Sequence, residues 1–199
     1  MPTEALVSAR LTAERQAPHA LYLRSIPLAL LFLLTLACQD STSSATIPST
    51  TIYDAIYAEN PEIVQQHMDA GTSPNQDPIP EGFPLAGAYP LHLAAIKNNK
   101  EIVRILLDNE ADINLEAANK DRATPLSWAA FFLQSDMIPL LVQSGALINV
   151  IDANKATPLD AAVFSRMMNL ADENIRKQAD QTIAILKDHG GKSAKDLQK

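Results

Sequence analysis

Apolar residues along this chain fall in short helical clusters separated by polar turns. Between Tyr89 and Asn114, Leu91, Ala94 and Ala95 share one face of a short helix, and Ile102, Val103, Ile105, Leu106 and Leu107 form the apolar side of a second. Pro90 stands where the first helix would begin, a place suited to a residue with fixed φ and no N–H. Asn98 and Asn99 interrupt the two, as turn-prone residues do. Helices this short cannot bury their own apolar faces, so the pattern predicts neighbours built in the same way.

The pattern recurs at Leu126 (T-P-L-S-W-A-A, then M-I-P-L-L-V-Q-S-G-A-L-I-N), 35 residues after Leu91, and at Leu159 (T-P-L-D-A-A), a further 33 on. A weaker copy starts at Ile52, 39 residues before Leu91. In three copies the distance from the marker residue to a closing asparagine is 23 residues, ending at Asn75, Asn114 and Asn149. Fixed internal length with variable connections is the mark of a stacked repeat, because helices build the core and loops absorb insertions. The period and the T-P-L-H-x-A-like signature resemble the ankyrin repeat, over roughly Thr50 to Leu197. The resemblance implies an all-α solenoid of about four stacked helix-turn-helix repeats, near 50–75, 88–114, 123–149 and 156–194, in a domain of residues 50–197. It also implies that His92 ties neighbouring turns together by hydrogen bonds and is structural.

The copies depart from one another in ways that carry expectations. In the first, Gln66 and His67 stand where the second has Ile105 and Leu106, as expected of a terminal repeat with one polar face toward water. Gly145 fits the end of a helix, and Pro139 fits the beginning of one. The fourth copy is longer by about a dozen residues near Ser165 to Arg176, whose composition favours helix and a cap on the stack.

In ankyrin architecture the two residues after the A-A pair of the first helix face the concave groove. Here these are Tyr57 and Ala58, Ile96 and Lys97, Phe131 and Phe132, and Val163 and Phe164, and the resemblance makes Tyr57, Ile96, Lys97, Phe131, Phe132, Val163 and Phe164 candidate partner contacts. Rings held on a rigid face are good anchors. The competing place for Phe131, Phe132 and Trp128 is the packing between repeats. The long loop before the second copy, Q-D-P-I-P-E-G-F-P-L-A-G-A-Y-P, leaves two readings of Phe83 and Leu85: exposed contacts on a stiff loop, or a plug folded over the first repeat. Turn-tip residues Asn119, Lys120, Asp121, Arg122, Asp152, Asn154 and Lys155 suit either a polar rim or ordinary turn chemistry.

Ahead of the repeats, Ile26 to Ala37 is an uncharged apolar run of 12 residues preceded by Arg24, the length of a signal h-region and too short to span a bilayer as a helix. It ends in L-T-L-A-C, with the only cysteine of the chain, Cys38, at the cleavage point. This resembles a bacterial lipoprotein signal, which implies a cleaved segment 1–37, lipid on Cys38, a polar tether over 38–49, and a periplasm-facing protein of the bacterial envelope. Gln39 after the cysteine points to the outer membrane, and Asp40 leaves that open. The alternative is a plain secretory signal with an incidental cysteine; a start nearer Leu21 would give a more ordinary signal length. One cysteine gives no intramolecular disulfide.

The net charge of −7 and pI near 5.0 argue against a general nucleic-acid surface, which needs a basic stripe. Residues 1–37 hold three Arg and two Glu, so the acidity belongs to the repeats. The sequence offers no Gly-rich phosphate loop, no metal-ligand cluster, no nucleophile elbow and no implied cofactor. The expectation is a monomeric, non-enzymatic module that binds a protein partner while held at a membrane through Cys38. Its role would be a scaffold for an envelope enzyme or immunity against a periplasm-directed toxin. The third option is a hydrolase with an unrecognised site in the Pro-rich loop.

Overall fold

The computed structural model describes residues 46–199. The signal-like segment 1–37, Cys38 and the tether as far as Ala45 lie outside the described residues. Among the described residues all regular structure is helical: α1 (Ile52–Tyr57), α2 (Pro61–Asp69), α3 (Pro90–Ile96), α4 (Lys100–Asp108), α5 (Pro125–Phe131), α6 (Met137–Gln143), α7 (Pro158–Met168), α8 (Glu173–Asp188) and α9 (Ala194–Leu197).

Local chemistry sets where each helix starts and stops. Pro61, Pro90, Pro125 and Pro158 occupy the first turn of α2, α3, α5 and α7, where no intrahelical N–H bond is lost. Thr51, Asn60, Asn99, Thr124, Thr157 and Asp172 cap α1, α2, α4, α5, α7 and α8 with side-chain oxygens, each worth about 1 kcal/mol. Pro139 lies in the first turn of α6, as its sequence position suggests. The second helices end in one repeated motif. After α6, Gly145 at φ 98° lets its own N–H reach Val142 and that of Ala146 reach Leu141. Gly71 and Gly190 do the same after α2 and α8, whereas Glu110 takes the left-handed place after α4 at φ 66°.

Each consecutive pair, α1–α2 through α7–α8, packs as a hairpin, and the hairpins stack in chain order. Neighbouring first helices (α1, α3, α5, α7) meet at every step, while α4 and α6 touch little. Between those two second helices lies a cleft of about 410 Å³ lined by Leu107, Ile113 and Leu140. The first-helix layer is therefore the tight, inner side of the stack beyond the second repeat. Ile56, Val64, Leu91, Leu93, Ile102, Leu106, Leu126, Ile138, Leu141 and Leu186 form one continuous core between the layers.

The closing asparagines explain their constant spacing. Asn75 Nδ2 donates to the Glu110 carbonyl (2.8 Å), and its Oδ1 accepts the Asp112 N–H (2.8 Å). Asn114 pairs in the same way with Gly145 and Leu147, and Asn149 with Gly190 and Lys192. Each asparagine thus clamps the loop that follows the next repeat's second helix, and a change of one residue in the spacing would miss it.

Two expectations about the ends meet different outcomes. Gln66 is exposed, but His67 is buried at the register held by Leu106 and Leu141 in later repeats. Its Nε2–H donates to the Thr50 carbonyl (2.8 Å) and its Nδ1 faces the Thr72 hydroxyl (3.3 Å). The polar residue closes the first repeat by bonding inward to the entering chain rather than by facing water. The extra residues of the fourth copy do lengthen its helices, to 11 residues in α7 and 16 in α8.

Candidate functional site

The Pro at the start of α3, α5 and α7 fixes where each first helix begins, so residues at equal distance from it come into register across the stack. Tyr57, Ile96 and Phe131 end α1, α3 and α5, and Val163 and Phe164 hold the corresponding places in the longer α7. Tyr57, Phe132, Val163 and Phe164 are exposed, and Ile96, Lys97 and Phe131 are half-buried. In the front half the row is joined by an ion pair: beside Ile96, the Lys97 ammonium lies 3.0 Å from Glu59 and links the first repeat to the second. In the rear half it is aromatic. Phe131 packs edge-on to Phe132 (5.2 Å between ring centres) and stacks on Phe164 of the next repeat (6.3 Å).

Behind this row lies a buried continuation. Trp128 is buried between His92 (5.3 Å, edge-on) and Phe132 (6.4 Å), so of the three rings in doubt the tryptophan belongs to the inter-repeat packing and Phe132 to the surface. His92 accepts the Tyr89 N–H at Nδ1 (3.4 Å), and its Nε2–H donates to the Ala123 carbonyl of the third repeat (3.1 Å). Burial drives its pKa down to about 4 against the pull of the carbonyls of Ala123 and Leu115. It is a neutral cross-repeat strut with no nucleophile or carboxylate among its bonding partners.

The Pro-rich loop splits Phe83 from Leu85. Ile79 N–H bonds to Ala88 O (2.9 Å) and Gly87 N–H to Ile79 O (2.8 Å), closing the loop into a short hairpin with Ile79 buried. The Tyr53 hydroxyl donates to the carbonyls of Asp77 (2.8 Å) and Ala88 (3.2 Å) from one side, and burial pushes its pKa upward. From the other side Ala118 N–H donates to Gly87 O (2.8 Å), so close that a Cβ on Gly87 would meet the Ala118 backbone at 2.7 Å. Leu85 turns inward, at φ 62°, onto the core. Phe83 stands at the tip, 64% exposed.

Most turn-tip polar groups are engaged internally. Asp152 Oδ1 accepts the N–H groups of Asn154 and Ala156, Asn154 reaches Asp121, Asn119 Oδ1 accepts from Asp121 and Arg122, and Arg122 pairs with Glu116. The side chains of Lys120 and Lys155 are exposed and make none of these bonds among the described residues, although the Lys155 N–H donates to the Asp152 carbonyl (3.0 Å). No group of three or more His, Cys, Asp or Glu converges as a metal site would among the described residues, and no helix there is long and apolar enough to cross a membrane.

The surface also holds residues that the repeat pattern did not single out. Met167, Met168 and Leu170, inside the fourth-repeat insertion, are all exposed. Their signal was present in the sequence, since Met167 and Met168 follow Phe164 by three and four residues, the spacing of one helix face.

Comparison with known proteins agrees with this architecture. The family description "Ankyrin repeats (3 copies)" matches residues 52–152. The chain is 34% identical over 115 residues to alpha-latroinsectotoxin-Lt1a of Latrodectus tredecimguttatus, covering 57% of this chain and 8% of the toxin. It is 29% identical over 148 residues to the E3 ubiquitin-protein ligase KEG of Arabidopsis thaliana, covering 70% of this chain and 8% of the ligase. It is 33% identical over 102 residues to the ARF GTPase-activating protein Git of Drosophila melanogaster, covering 51% and 14%. The matched stretches are thus small parts of much longer proteins.

Proposed function

The chain belongs to the ankyrin-repeat family, and from that premise we propose that it is a protein-binding module held in a bacterial cell envelope through lipid on Cys38. The observation that carries the binding role is the rear aromatic row. Phe131, Phe132 and Phe164 touch one another across two repeats yet keep Phe132 and Phe164 exposed. Rings fixed in this way lose little entropy on meeting a partner. Tyr57, Ile96, Lys97 and Val163 extend the contact along the inner layer, and Phe83 adds a rigid apolar tip at the turns, with Leu85 as its inward support. The envelope assignment rests on the apolar run 26–37 ending at the sole cysteine.

Two partner types fit. A resident envelope enzyme would make the module a scaffold, and a basic toxin would make it an immunity protein, a reading favoured by the net charge of −7. The test is affinity capture from envelope and secreted extracts with the full chain and with Phe131→Asp/Phe132→Asp. One stoichiometric protein retained by the native chain and lost with the variant is expected, and its identity separates scaffold from immunity. Capture that survives the variant overturns the aromatic row as the contact. In the same cells Cys38→Ser should shift the protein out of the membrane fraction; unchanged fractionation overturns the lipid anchor.

A further inference from the structure

The fourth-repeat insertion adds to the inner layer something the other repeats lack. α7 runs on past the point where α3 and α5 stop, and its buried stripe (Leu159, Ala162, Ser165) leaves the opposite face to Val163, Phe164, Met167 and Met168. Phe164, Met167 and Met168 are 55%, 61% and 64% exposed, and Leu170 just beyond is 60% exposed. Phe164 stacks on Phe131, so this ridge continues the aromatic row without a break. Ordinary solvated helices do not place four large apolar side chains in one such strip.

We propose that the α7 ridge, together with Phe131 and Phe132, receives an amphipathic helical segment of a basic partner protein. The inference rests on the aromatic row being a partner-binding surface and specifies what lies on it. Size argues for one helix. Phe132, Val163, Phe164, Met167, Met168 and Leu170 together expose roughly 600 Å², less than the ~800 Å² per side of a standard interface and short of what a stable dimer needs. From Val163 to Met168 the helix rises about 7.5 Å, matching apolar residues at i and i+4 of a docked helix, and Leu170 lies beyond the helix end. No strand edge is offered among the described residues, so recognition falls to side chains, and methionine adapts its shape to such a guest.

Charge argues for a basic segment. Asp136 follows Phe132 by four residues, and Asp172 and Glu173 follow Leu170 by two and three, all exposed. Of the cations on the first-helix layer, Lys97 is held by Glu59 and Arg166 by Asp180. Arg176 and Lys177, on α8, lie one turn from Asp172 and Glu173. Asp136, Asp172, Glu173 and Asp180 against Arg166, Arg176 and Lys177 leave these segments net acidic, as is the chain.

The test titrates the full chain with a fluorescent three-turn Leu/Lys amphipathic peptide and with its Leu/Glu counterpart. The Leu/Lys peptide is expected to bind, to weaken as salt is raised to about 0.5 M, and to weaken about tenfold or more with Met167→Asp/Met168→Asp. Those substitutions add negative charge, so a purely electrostatic contact would tighten; tighter or unchanged binding overturns the proposal. Equal binding of the Leu/Glu peptide overturns the basic partner. If Phe131→Asp/Phe132→Asp weakens binding and the methionine pair does not, the aromatic row stands and the α7 extension fails. The converse result removes the row as the contact and overturns the proposal together with the reading it rests on. Self-association, or co-sedimentation with phosphatidylcholine vesicles, abolished by the same methionine substitutions assigns the strip to a second copy or a bilayer and overturns the proposal. Met167→Gln/Met168→Gln, similar in size and uncharged, repeats the comparison should the aspartate pair lower the melting point.

Discussion

The front and rear halves of the stack are made from one pattern and used differently. In the first two repeats polar side chains turn inward. His67 bonds to Thr50, Tyr53 holds the long loop, and His92 reaches Ala123. In the last two, the place of His92 is taken by Ser127, which stays within its own turn, and by Asp160, which with Thr157 ties down the segment before α9. The groove positions shift in the opposite sense, from the Glu59–Lys97 ion pair in front to stacked phenylalanines behind. Directional bonds fix the front of the stack, and apolar surface is left open on the lengthened helix behind. A residue's register says where it sits, while its chemistry says whether it closes the fold or waits for a partner.

The largest expected break in this contrast is at His92. Substitution by Ala removes a buried ring against Trp128 and leaves the Ala123 carbonyl without its donor, a loss of about 3 kcal/mol in urea unfolding. Ser127→Ala at the same register of the third repeat should cost about 1 kcal/mol or less, since its bonds stay within one turn. The same residue gives a pH signature. With a folded pKa near 4 against about 6.5 unfolded, neutral His92 stabilises fully above pH 6.5. As pH falls below that value the unfolded chain takes up the proton first, so the contribution is lost progressively down to about pH 4. Between pH 7 and 5 the native chain should lose about 2 kcal/mol that His92→Gln does not lose. Parallel pH profiles of the two would remove the cross-repeat strut from the account.

Next in size are the asparagine clamps. Asn75→Ala and Asn149→Ala each remove two short bonds to the next repeat and should cost about 1–2 kcal/mol. Asn114, whose amide donates over 3.4 Å, should cost less. Equal losses at all three in thermal unfolding would mean that clamp geometry does not set the inter-repeat energy.

How much of this was legible beforehand follows from the same division. The helices, their proline starts and the marker apolar residues could be read because burial imposes period and register. The closing asparagines could be seen but not explained, since their partners lie in the following repeat, more than 30 residues away. The sequence points His67 toward water because a polar residue in an end repeat is ordinarily solvated, and nothing local announces the Thr50 carbonyl. Phe83 and Leu85, two residues apart in one loop, part company only because Tyr53 and Ala118 pin that loop from both sides. The α7 methionines carry no repeat signal: the composition of the insertion speaks only for helix, and its exposed face shows only in the spacing of Phe164, Met167 and Met168.

The smallest expected effect concerns the one second helix that ends without glycine. After α2, α6 and α8 the left-handed residue is Gly71, Gly145 or Gly190, but after α4 it is Glu110, at φ 66°. An L-residue there pays a steric cost of about 1 kcal/mol that glycine avoids. Glu110 is exposed, and the clamp from Asn75 uses its carbonyl rather than its side chain, so Glu110→Gly keeps both bonds. Glycine's greater freedom in the unfolded chain offsets part of the gain. The net expectation is a rise of about 0.5 kcal/mol for Glu110→Gly and a fall of about 1 kcal/mol for Gly145→Ala. Losses at both positions would mean that the front half tolerates its strained cap because Glu110 has a contact of its own, and that the two halves differ in their turns as well as in their faces.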